Sequence, residues 1–168
     1  MNGAAPAPAT APKNAADPVI AVIGNPNTGK STLFNALTGL RQKTANYPGV
    51  TVERHTGHIK LDGHNVTLVD LPGAYSIAAQ SPDEMVAIDV LLGHVEDLPR
   101  PRAILAVVDA TNLRRNLFLV TQLAELGLPM VIGLNMTDLA AAKGIEVDIT
   151  ALGAGLGAQV VALSAARG

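Results

Sequence analysis

Residues 24–31 read Gly-Asn-Pro-Asn-Thr-Gly-Lys-Ser, and this stretch decides the fold. It fits the pattern G-x-x-x-x-G-K-[ST], in which backbone N–H groups wrap around nucleotide phosphates. The apolar run 19–23 before it is typical of a buried parallel strand, and residues 31–37 after it favour a helix whose N-terminus attracts anions. Because strand, loop and helix follow in this order, a glycine-rich turn with a chance lysine is the weaker interpretation. The stretch predicts a nucleoside triphosphate site.

Each fixed position of this loop has a chemical role. Gly24 and Gly29 let the backbone turn and bring its amides against anionic oxygens. Lys30 would supply a positive charge to the β- and γ-phosphates, and the Ser31 hydroxyl would ligate Mg²⁺. The residues that we expect to bind nucleotide here are Gly24, Asn25, Pro26, Asn27, Thr28, Gly29, Lys30, Ser31 and Thr32.

The composition limits the class of protein. The 168 residues are 48% hydrophobic, with only two Phe, two Tyr and no Trp, which predicts one domain with an aliphatic core. A net charge of −2 gives no reason to expect a nucleic-acid partner, and the absence of Cys excludes disulfides and thiolate metal sites. Residues 1–18 are rich in Ala and Pro, so we expect a disordered leader before a single domain over 19–168.

Strand-like runs alternate with helical segments after the leader, a pattern typical of an α/β domain with a mostly parallel sheet. We predict strands at 19–24, 53–61, 65–70, 103–109, 130–135 and 159–163, and helices at 30–40, 82–92, 116–125, 138–142 and 150–156. Asp62-Gly63 is a hairpin signal, so one of these six strands should be antiparallel. The chain stops five residues after the last predicted strand, where a final helix normally follows. We therefore expect a piece of a longer polypeptide that lacks this helix.

Asp70-Leu-Pro-Gly73 closes a predicted strand behind the phosphate loop. An acidic residue there reaches Mg²⁺, usually through water, while the Gly73 amide can face a γ-phosphate. In isolation the segment would be an ordinary turn, since Asp, Pro and Gly are all turn formers. Its place at a strand end favours the metal and phosphate role.

Asn135-Met-Thr-Asp138 closes another apolar run. Guanine offers adjacent N1–H and N2–H donors that suit a bidentate carboxylate, a role for Asp138, and adenine offers no such pair. Asn135 would brace the loop, and Met136 stands where a lysine stem often covers the base. Ser164 and Ala165, a small pair after the last strand, would let amides approach the guanine oxygen. Taken alone, Asn and Asp here would more often be helix caps.

A polar loop at 41–52 connects the first helix to the next predicted strand. Thr51 could complete Mg²⁺ coordination with its hydroxyl and contact the γ-phosphate through its amide. We expect its neighbours Gly49 and Val50 to lie at the nucleotide as well. A lone threonine would be an ordinary strand-entry residue, but four motifs in order at strand ends predict a GTP-binding domain with the Ras-like, three-layer P-loop GTPase fold.

The sequence resembles the ferrous-iron transport protein B (FeoB) family over about residues 19–168. The matching stretches are residues 24–35, 46–53 and 70–76, together with Asn135-Met-Thr-Asp138. Many GTPases share the phosphate loop. The stretches that distinguish this family from them are Pro-Gly-Val-Thr-Val-Glu and Leu-Pro-Gly-x-Tyr-Ser. The resemblance implies a GTPase domain at the cytoplasmic face of the inner cell membrane. In that family a helical domain and a polytopic membrane region thought to move Fe²⁺ follow it. A sheet face without its last helix would favour either association, as in a homo-oligomer, or marginal stability.

The expected catalytic set is Lys30, Thr51, Gly73 and Asn27. Ala74 stands where a water-orienting glutamine is often found, so intrinsic hydrolysis should be slow or another group must position the water. The resemblance implies that Asn27 helps to hold K⁺ against the phosphates, and the alternative is an asparagine that only stabilises its own loop.

Asp83 and Glu84 could influence the attacking water, but we prefer the interpretation that they start the helix at residue 82. The histidines are His55, His58, His64 and His94. We expect surface positions for them rather than iron ligation, because no cysteine helps them and residues 55 and 58 face opposite sides of a strand.

Two other functions remain open at this point. One is a soluble GTPase of ribosome assembly or tRNA modification, a class that usually brings an RNA-binding module or a basic surface. The other is a nucleotide-binding module whose hydrolysis is too slow to matter.

Overall fold

The computed structural model describes residues 17–39 and 42–165. Its seven strands are β1 (Val19–Gly24), β2 (Gln42–Asn46), β3 (Glu53–Leu61), β4 (His64–Asp70), β5 (Ala103–Asp109), β6 (Met130–Asn135) and β7 (Gln159–Ala162). Its five α-helices are α1 (Lys30–Thr38), α2 (Pro82–Leu92), α3 (Leu113–Ala124), α4 (Thr137–Ala142) and α5 (Ile149–Leu156). The predicted leader falls mostly on residues 1–16, and the predicted end of the first helix on residue 40; both lie outside the described residues.

The strands form one sheet in the order β2-β3-β4-β1-β5-β6-β7. The pairs β4–β1, β1–β5, β5–β6 and β6–β7 are parallel, whereas β3 is antiparallel to both of its neighbours. The turn between β3 and β4 has Asp62 at φ 48° and Gly63 at φ 81°. Two consecutive positive φ angles are those of the tight hairpin turn that the Asp-Gly pair predicts.

The predicted count of six strands is wrong, because residues 42–46 form the edge strand β2 within the predicted polar loop. The segment reads Gln-Lys-Thr-Ala-Asn, and its side chains are exposed except for the half-buried Gln42. An edge strand without an apolar face gives no alternation for sequence reasoning to detect. The strand β2 is specified instead by its pairing with β3, in a register that joins Gln42 to Gly57 and Asn46 to Glu53.

The third predicted helix begins earlier than expected. A 3₁₀ turn at Ala110–Asn112 leads into α3, and the Asp109 carboxylate accepts a hydrogen bond from the Thr111 N–H at 2.7 Å. Asn116 lies buried inside the helix, where its Oδ1 accepts from the Asp109 N–H at 3.2 Å. Asn116 therefore fastens α3 to the end of β5 rather than starting the helix.

The core is aliphatic and lies on both faces of the sheet. On one face, α1 packs Leu33 and Phe34 against β1 and β4. On the other face, α2 and α3 bury residues such as Leu91 and Leu119. The result is the expected three-layer α/β P-loop GTPase fold. None of the helices in the described ranges has both the length and the apolar character needed to cross a membrane.

Candidate nucleotide site

The predicted site residues follow parallel strands that end at one edge of the sheet. Gly24 ends β1, Asp70 ends β4 and Asn135 ends β6, and Ser164 follows β7 by two residues. Ligands of open α/β sheets bind outside the carboxyl ends of the strands, beside the loops that follow them. The topology therefore brings four of the predicted motifs to one place.

The phosphate loop packs so closely that two of its glycines have no room for a side chain. A Cβ on Gly24 would lie 2.4 Å from the carbonyl oxygen of Val107, and one on Gly29 would lie 2.3 Å from Nδ2 of Asn135. Gly29 also has φ +80°, a conformation that side chains rarely adopt. Asn27 reaches φ 64° without being glycine, and its side chain is exposed. The loop is held as a tight nest of amides before α1.

Lys30 and Asp70 form an ion pair at the phosphate end of the site. Their side chains are only 11% and 9% exposed, so the pair is largely enclosed. Ser31 Oγ lies 3.5 Å from the second carboxylate oxygen of Asp70. A hydroxyl and a carboxylate at this separation are the hard oxygen donors that Mg²⁺ prefers. Lys30 therefore lies beside two of the three predicted magnesium ligands, Ser31 and Asp70.

The segment after β4 is fastened to the phosphate loop and to α3. The Ala74 N–H donates to the Gly24 carbonyl at 3.2 Å, and Ala74 is fully buried. The Ile77 N–H donates to Oε1 of Gln122 at 3.1 Å, and the Arg115 guanidinium lies 4.4 Å from the centre of the Tyr75 ring. Backbone, amide and cation–π contacts therefore hold this segment in place.

Glu84 acts as a cap for the same segment. Its carboxylate accepts from the Gln80 N–H at 2.8 Å and from the Tyr75 N–H at 3.4 Å. Ser81 Oγ in turn accepts from the Glu84 N–H at 3.2 Å at the start of α2. These contacts match the capping pattern at helix N-termini and agree with the preferred role of Glu84, with Asp83 in the same first turn.

Asn135 joins three loops at the other end of the site. Its Nδ2 donates to the Thr28 carbonyl of the phosphate loop at 2.9 Å, and its Oδ1 accepts from the Ala165 N–H at 2.9 Å. Asn135 is 3% exposed, so both bonds are sheltered from water. The amide therefore sets the distance between the phosphate loop, the end of β6 and the loop after β7.

A cavity of about 220 Å³ opens between these loops. Its walls are Gly29, Thr32, Asn135, Met136, Asp138, Leu139, Ser164 and Ala165. A second cavity of about 360 Å³ lies over the phosphate loop and is lined by Asn25, Pro26, Asn27, Gly29, Lys30, Ser31, Thr32 and Gly73. Gly29 and Thr32 line both cavities, so the two adjoin, and together they are called the cleft below. All of the residues that line the first cavity except Leu139 are predicted site residues, and so are all eight that line the second.

Thr51, Gly49 and Val50 lie away from this cleft. They are exposed in the β2–β3 loop, residues 47–52, and Thr51 Oγ1 makes no hydrogen bond to any of the described residues. The loop closes on itself instead, since the Tyr47 N–H donates to the Val52 carbonyl at 3.0 Å. The structure therefore brings the phosphate loop, Asp70 and the base-side residues together, but it does not bring Thr51 to them.

Tyr47 anchors the β2–β3 loop. It is 2% exposed, and its hydroxyl is buried with no hydrogen-bond partner among the described residues. Burial raises the pKa of Tyr47 well above its ordinary value, although the nearby Arg54 charge opposes that shift. The Arg54 guanidinium lies 5.7 Å from the centre of the Tyr47 ring and donates to Asp97 at 2.8 Å. This hydrogen bond holds the pKa of the Asp97 carboxyl below its ordinary value.

Two contacts of the site escaped sequence reasoning. Thr137 donates through Oγ1 to the Leu163 carbonyl at 2.8 Å and so joins the loops after β6 and β7. The burial of Tyr47 was also not predicted, although a tyrosine inside a polar loop of a chain with two tyrosines is a detectable signal. Of the histidines, His58, His64 and His94 are exposed, and His55 is partly buried.

The arrangement of glycine-rich loop, buried lysine–aspartate pair and base-side asparagine at one sheet edge is that of the P-loop GTPase fold class. A sequence profile described as Ferrous iron transport protein B (FeoB_N) matches residues 18–168. The chain belongs to this family.

Curated relatives are long proteins. The chain is 49% identical over 153 residues to the Fe(2+) transporter FeoB of Escherichia coli (strain K12), a match that covers 89% of this chain and 19% of the relative. The Fe(2+) transporter FeoB of Salmonella typhimurium is 48% identical with the same coverage. The chain thus spans about a fifth of the length of the curated relatives it matches.

Solved structures share both fold and sequence. A GDP-bound mutant of the S. thermophilus FeoB G-domain is 48% identical with a TM-score of 0.82, covering 89% of this chain and 55% of that one. The cytosolic domain of L. pneumophila FeoB is 44% identical with a TM-score of 0.81, covering 89% and 62%. The FeoB G-domain from Methanococcus jannaschii is 43% identical with a TM-score of 0.76, covering 90% and 88%.

Proposed function

We propose that this chain binds GTP and GDP and hydrolyses GTP, as the G-domain of a ferrous-iron transporter. The observation that carries the proposal is that the cavity over the phosphate loop and Lys30 adjoins the cavity lined by Asn135 and Asp138. A nucleoside triphosphate needs a cationic, amide-rich end and a base-sized end at a fixed separation. The GDP-bound S. thermophilus G-domain, 48% identical to this chain, supports the choice of guanine.

Guanine recognition is assigned to the base-side cavity. Asp138 would accept from the N1–H and N2–H of the base, and the amides at Ser164 and Ala165 would face its oxygen. Met136, at φ 61°, would cover the face of the base with its flexible side chain. Asn135 would hold this end to the phosphate loop through the two bonds that it makes.

Magnesium fits the phosphate end. Ser31 Oγ and the Asp70 carboxylate would hold it, since these oxygens already lie 3.5 Å apart beside Lys30. Thr51 is proposed as a further ligand, which requires the β2–β3 loop to move from its present position. When bound, the ion neutralises charge on the β- and γ-phosphates. Lys30 and the Gly73 amide would bind the same phosphates from the protein side.

Potassium is assigned to Asn27. Its side chain is exposed and lines the phosphate cavity, and its backbone has a positive φ of 64°. A monovalent cation there supplies the positive charge that an arginine provides in other GTPases. Ala74 has no polar side chain with which to orient water, so intrinsic turnover should be slow.

The transport role rests on the relatives. FeoB of Escherichia coli is an Fe(2+) transporter, and the chain matches 19% of its length at 49% identity. We propose that the chain works at the cytoplasmic face of the inner membrane, joined to helical and membrane domains of one polypeptide. Movement of the β2–β3 loop and of residues 73–82 with nucleotide state would be its output. The family match disfavours a soluble GTPase of ribosome assembly or tRNA modification.

The test is GTP turnover in KCl and in NaCl at equal ionic strength, for wild type and Asn27→Ala. We expect faster phosphate release in KCl for the wild type and equal rates for Asn27→Ala. Asn65→Ala, an exposed asparagine of β4, is the matched control and should behave as wild type. Equal wild-type rates in both salts would contradict the potassium site. Absence of turnover in either salt would contradict the GTPase activity, while GDP binding is measured separately.

A further inference from the structure

Thr137 lies between two walls of the base-side cavity without lining it. It starts α4, and its sequence neighbours Met136 and Asp138 both line the cavity. Its hydroxyl donates to the Leu163 carbonyl at 2.8 Å, and its backbone N–H donates to the same oxygen at 3.3 Å. One carbonyl after β7 therefore receives two hydrogen bonds from a single residue after β6.

The chain that receives these bonds forms the opposite wall. Leu163 is followed directly by Ser164 and Ala165, which line the cavity. This wall extends from β7, a strand of four residues at the edge of the sheet. A short edge strand has few ladder hydrogen bonds with which to fix the loop that follows it. Side-chain tethers must therefore set the position of that loop.

Three tethers hold this wall. The Leu163 N–H donates to the Leu134 carbonyl at 2.8 Å, and the Ala165 N–H donates to Asn135 at 2.9 Å. Both of these attach the wall to the end of β6. The pair of bonds from Thr137 attaches it to the first turn of α4, which also carries Asp138. Thr137 is thus the link between the carboxylate side and the amide side of the cavity.

We infer that Thr137 is a positioning residue that sets the separation of Asp138 from Ser164–Ala165 and thereby the selectivity for guanine. The inference rests on the proposed function. A guanine base is rigid, so a carboxylate on its N1–H and N2–H edge and an amide on its oxygen must be correctly spaced at the same time. Loss of the Thr137 hydroxyl relaxes that spacing without removing any group that contacts the base.

The experiment compares Thr137→Val, which keeps the side-chain shape and removes the hydroxyl, with Thr137→Ser, which keeps the hydroxyl. Thr121→Val is the matched control, because the Thr121 hydroxyl donates to the Phe118 carbonyl at 2.9 Å on α3, outside the cavity. Dissociation constants are measured for GDP and for inosine diphosphate, which lacks the 2-amino group. Thermal midpoints of the nucleotide-free proteins report on folding.

We expect Thr137→Val to bind GDP about five-fold more weakly, the effect of one ordinary hydrogen bond. Inosine diphosphate should lose less affinity, because it makes one bond fewer to Asp138, so the preference for GDP narrows. Thr137→Ser and Thr121→Val should keep the wild-type preference.

Two results would overturn the inference. Unchanged GDP affinity in Thr137→Val would show that the hydroxyl does not position the site. Equal losses for both nucleotides with a lowered thermal midpoint would show a structural role only. Failure of the wild type to bind GDP would instead overturn the proposed function and the inference with it. Wild-type binding of GDP therefore distinguishes failure of the inference alone from failure of the proposed function.

Discussion

The base end of the cleft and the β2–β3 loop are held in different ways. At the base end, Asn135 and Thr137 make sheltered hydrogen bonds to the phosphate loop and to the loop after β7. The β2–β3 loop, by contrast, is attached through Tyr47, whose hydroxyl has no partner among the described residues and whose ring lies against Arg54 of β3, which pairs with Asp97. Asp97 is 51% exposed, so water and salt screen that pair.

This difference suggests that base recognition and nucleotide-dependent movement belong to different parts of the molecule. A pocket whose walls are joined by fully or partly buried hydrogen bonds is preorganised, and a ligand need not spend binding energy on ordering it. The β2–β3 loop is anchored by the buried Tyr47 ring, but no hydrogen bond among the described residues ties the exposed residues 49–51 to the nucleotide cleft. The base end is therefore expected to stay fixed, and the β2–β3 loop is expected to be the part that responds to nucleotide.

The largest effect on stability and GDP binding is expected from Gly29→Ala, which disrupts the packing at the base end of the cleft. The new Cβ would lie 2.3 Å from Asn135 Nδ2, at φ +80°, so the Asn135 amide must shift and its bond from Nδ2 to the Thr28 carbonyl is disrupted. We expect a loss of about 2–4 kcal/mol in the free energy of unfolding and GDP binding weakened more than ~100-fold. Urea denaturation and calorimetry measure the two.

Gly127→Ala is the matched control for that substitution. Gly127 has φ +68° and nothing within 4 Å of the added Cβ, so it reports the backbone strain alone. We expect a cost of about 1 kcal/mol and normal GDP binding. Similar losses for the two variants would mean that the contact between Gly29 and Asn135 is not what makes the base end rigid.

Asn135→Ala should have the next largest effect. It leaves the Thr28 carbonyl and the Ala165 N–H unpaired in a sheltered place, which costs about 2–3 kcal/mol in unfolding free energy. The exposed Asn65→Ala should cost less than about 0.5 kcal/mol. The measurement is the denaturation midpoint, and a cost for Asn135→Ala as small as that for Asn65→Ala would refute the preorganised pocket.

The sequence predicted what buried apolar runs and turn chemistry dictate. Every predicted strand exists, since each core strand carries a continuous or alternating apolar run, and Asp62-Gly63 forms its hairpin. The edge strand β2 was missed because its polar residues carry no burial signal. It takes its conformation from pairing with β3, which local patterns do not encode.

The sequence predicted those parts of the site that are formed by motifs at the ends of strands. The phosphate loop, Asp70 and the residues around Asn135 meet as their strand order requires, and their binding roles stay predictions. Thr137 could not be assigned, because its partner is a carbonyl 26 residues away. The separation of Thr51 from the cleft could not be foreseen either, since it depends on how Tyr47 seats the β2–β3 loop.

Tyr47→Phe tests how the β2–β3 loop is anchored, and it should stabilise the protein. The hydroxyl is buried with no partner among the residues that the structure describes, so its removal ends a desolvation cost and should raise the unfolding free energy by about 1 kcal/mol. Burial raises the pKa of Tyr47 in the folded protein, so ionisation of the unfolded chain above about pH 10 lowers wild-type stability. The variant should lose less stability there. Thermal scans from pH 7 to 11 measure both effects, and a less stable Tyr47→Phe at pH 7 would mean that the hydroxyl is satisfied.

The smallest effect is expected from Asp97→Asn, which removes the exposed ion pair with Arg54. We expect a stability loss of about 0.5 kcal/mol at low salt that disappears near 1 M salt, as is usual for surface pairs. The hydrogen bond from Arg54 lowers the pKa of Asp97 in the folded state. Its contribution is therefore present above the unfolded value of about 3.9 and is lost as the pH falls below it.

Hydrogen exchange of the Tyr47 amide shows whether this ion pair holds the β2–β3 loop. That N–H is bonded to the Val52 carbonyl, so it exchanges only when the loop opens. Asp97→Asn should speed its exchange about two- to three-fold at pH 7 and low salt, in keeping with the small free energy of the pair. Asp62→Asn, at an exposed turn position that asparagine tolerates, should leave it unchanged. Equal exchange in both variants would mean that the burial of Tyr47 alone holds the loop. The contrast between the base end of the cleft and the β2–β3 loop would then rest on packing rather than on charge.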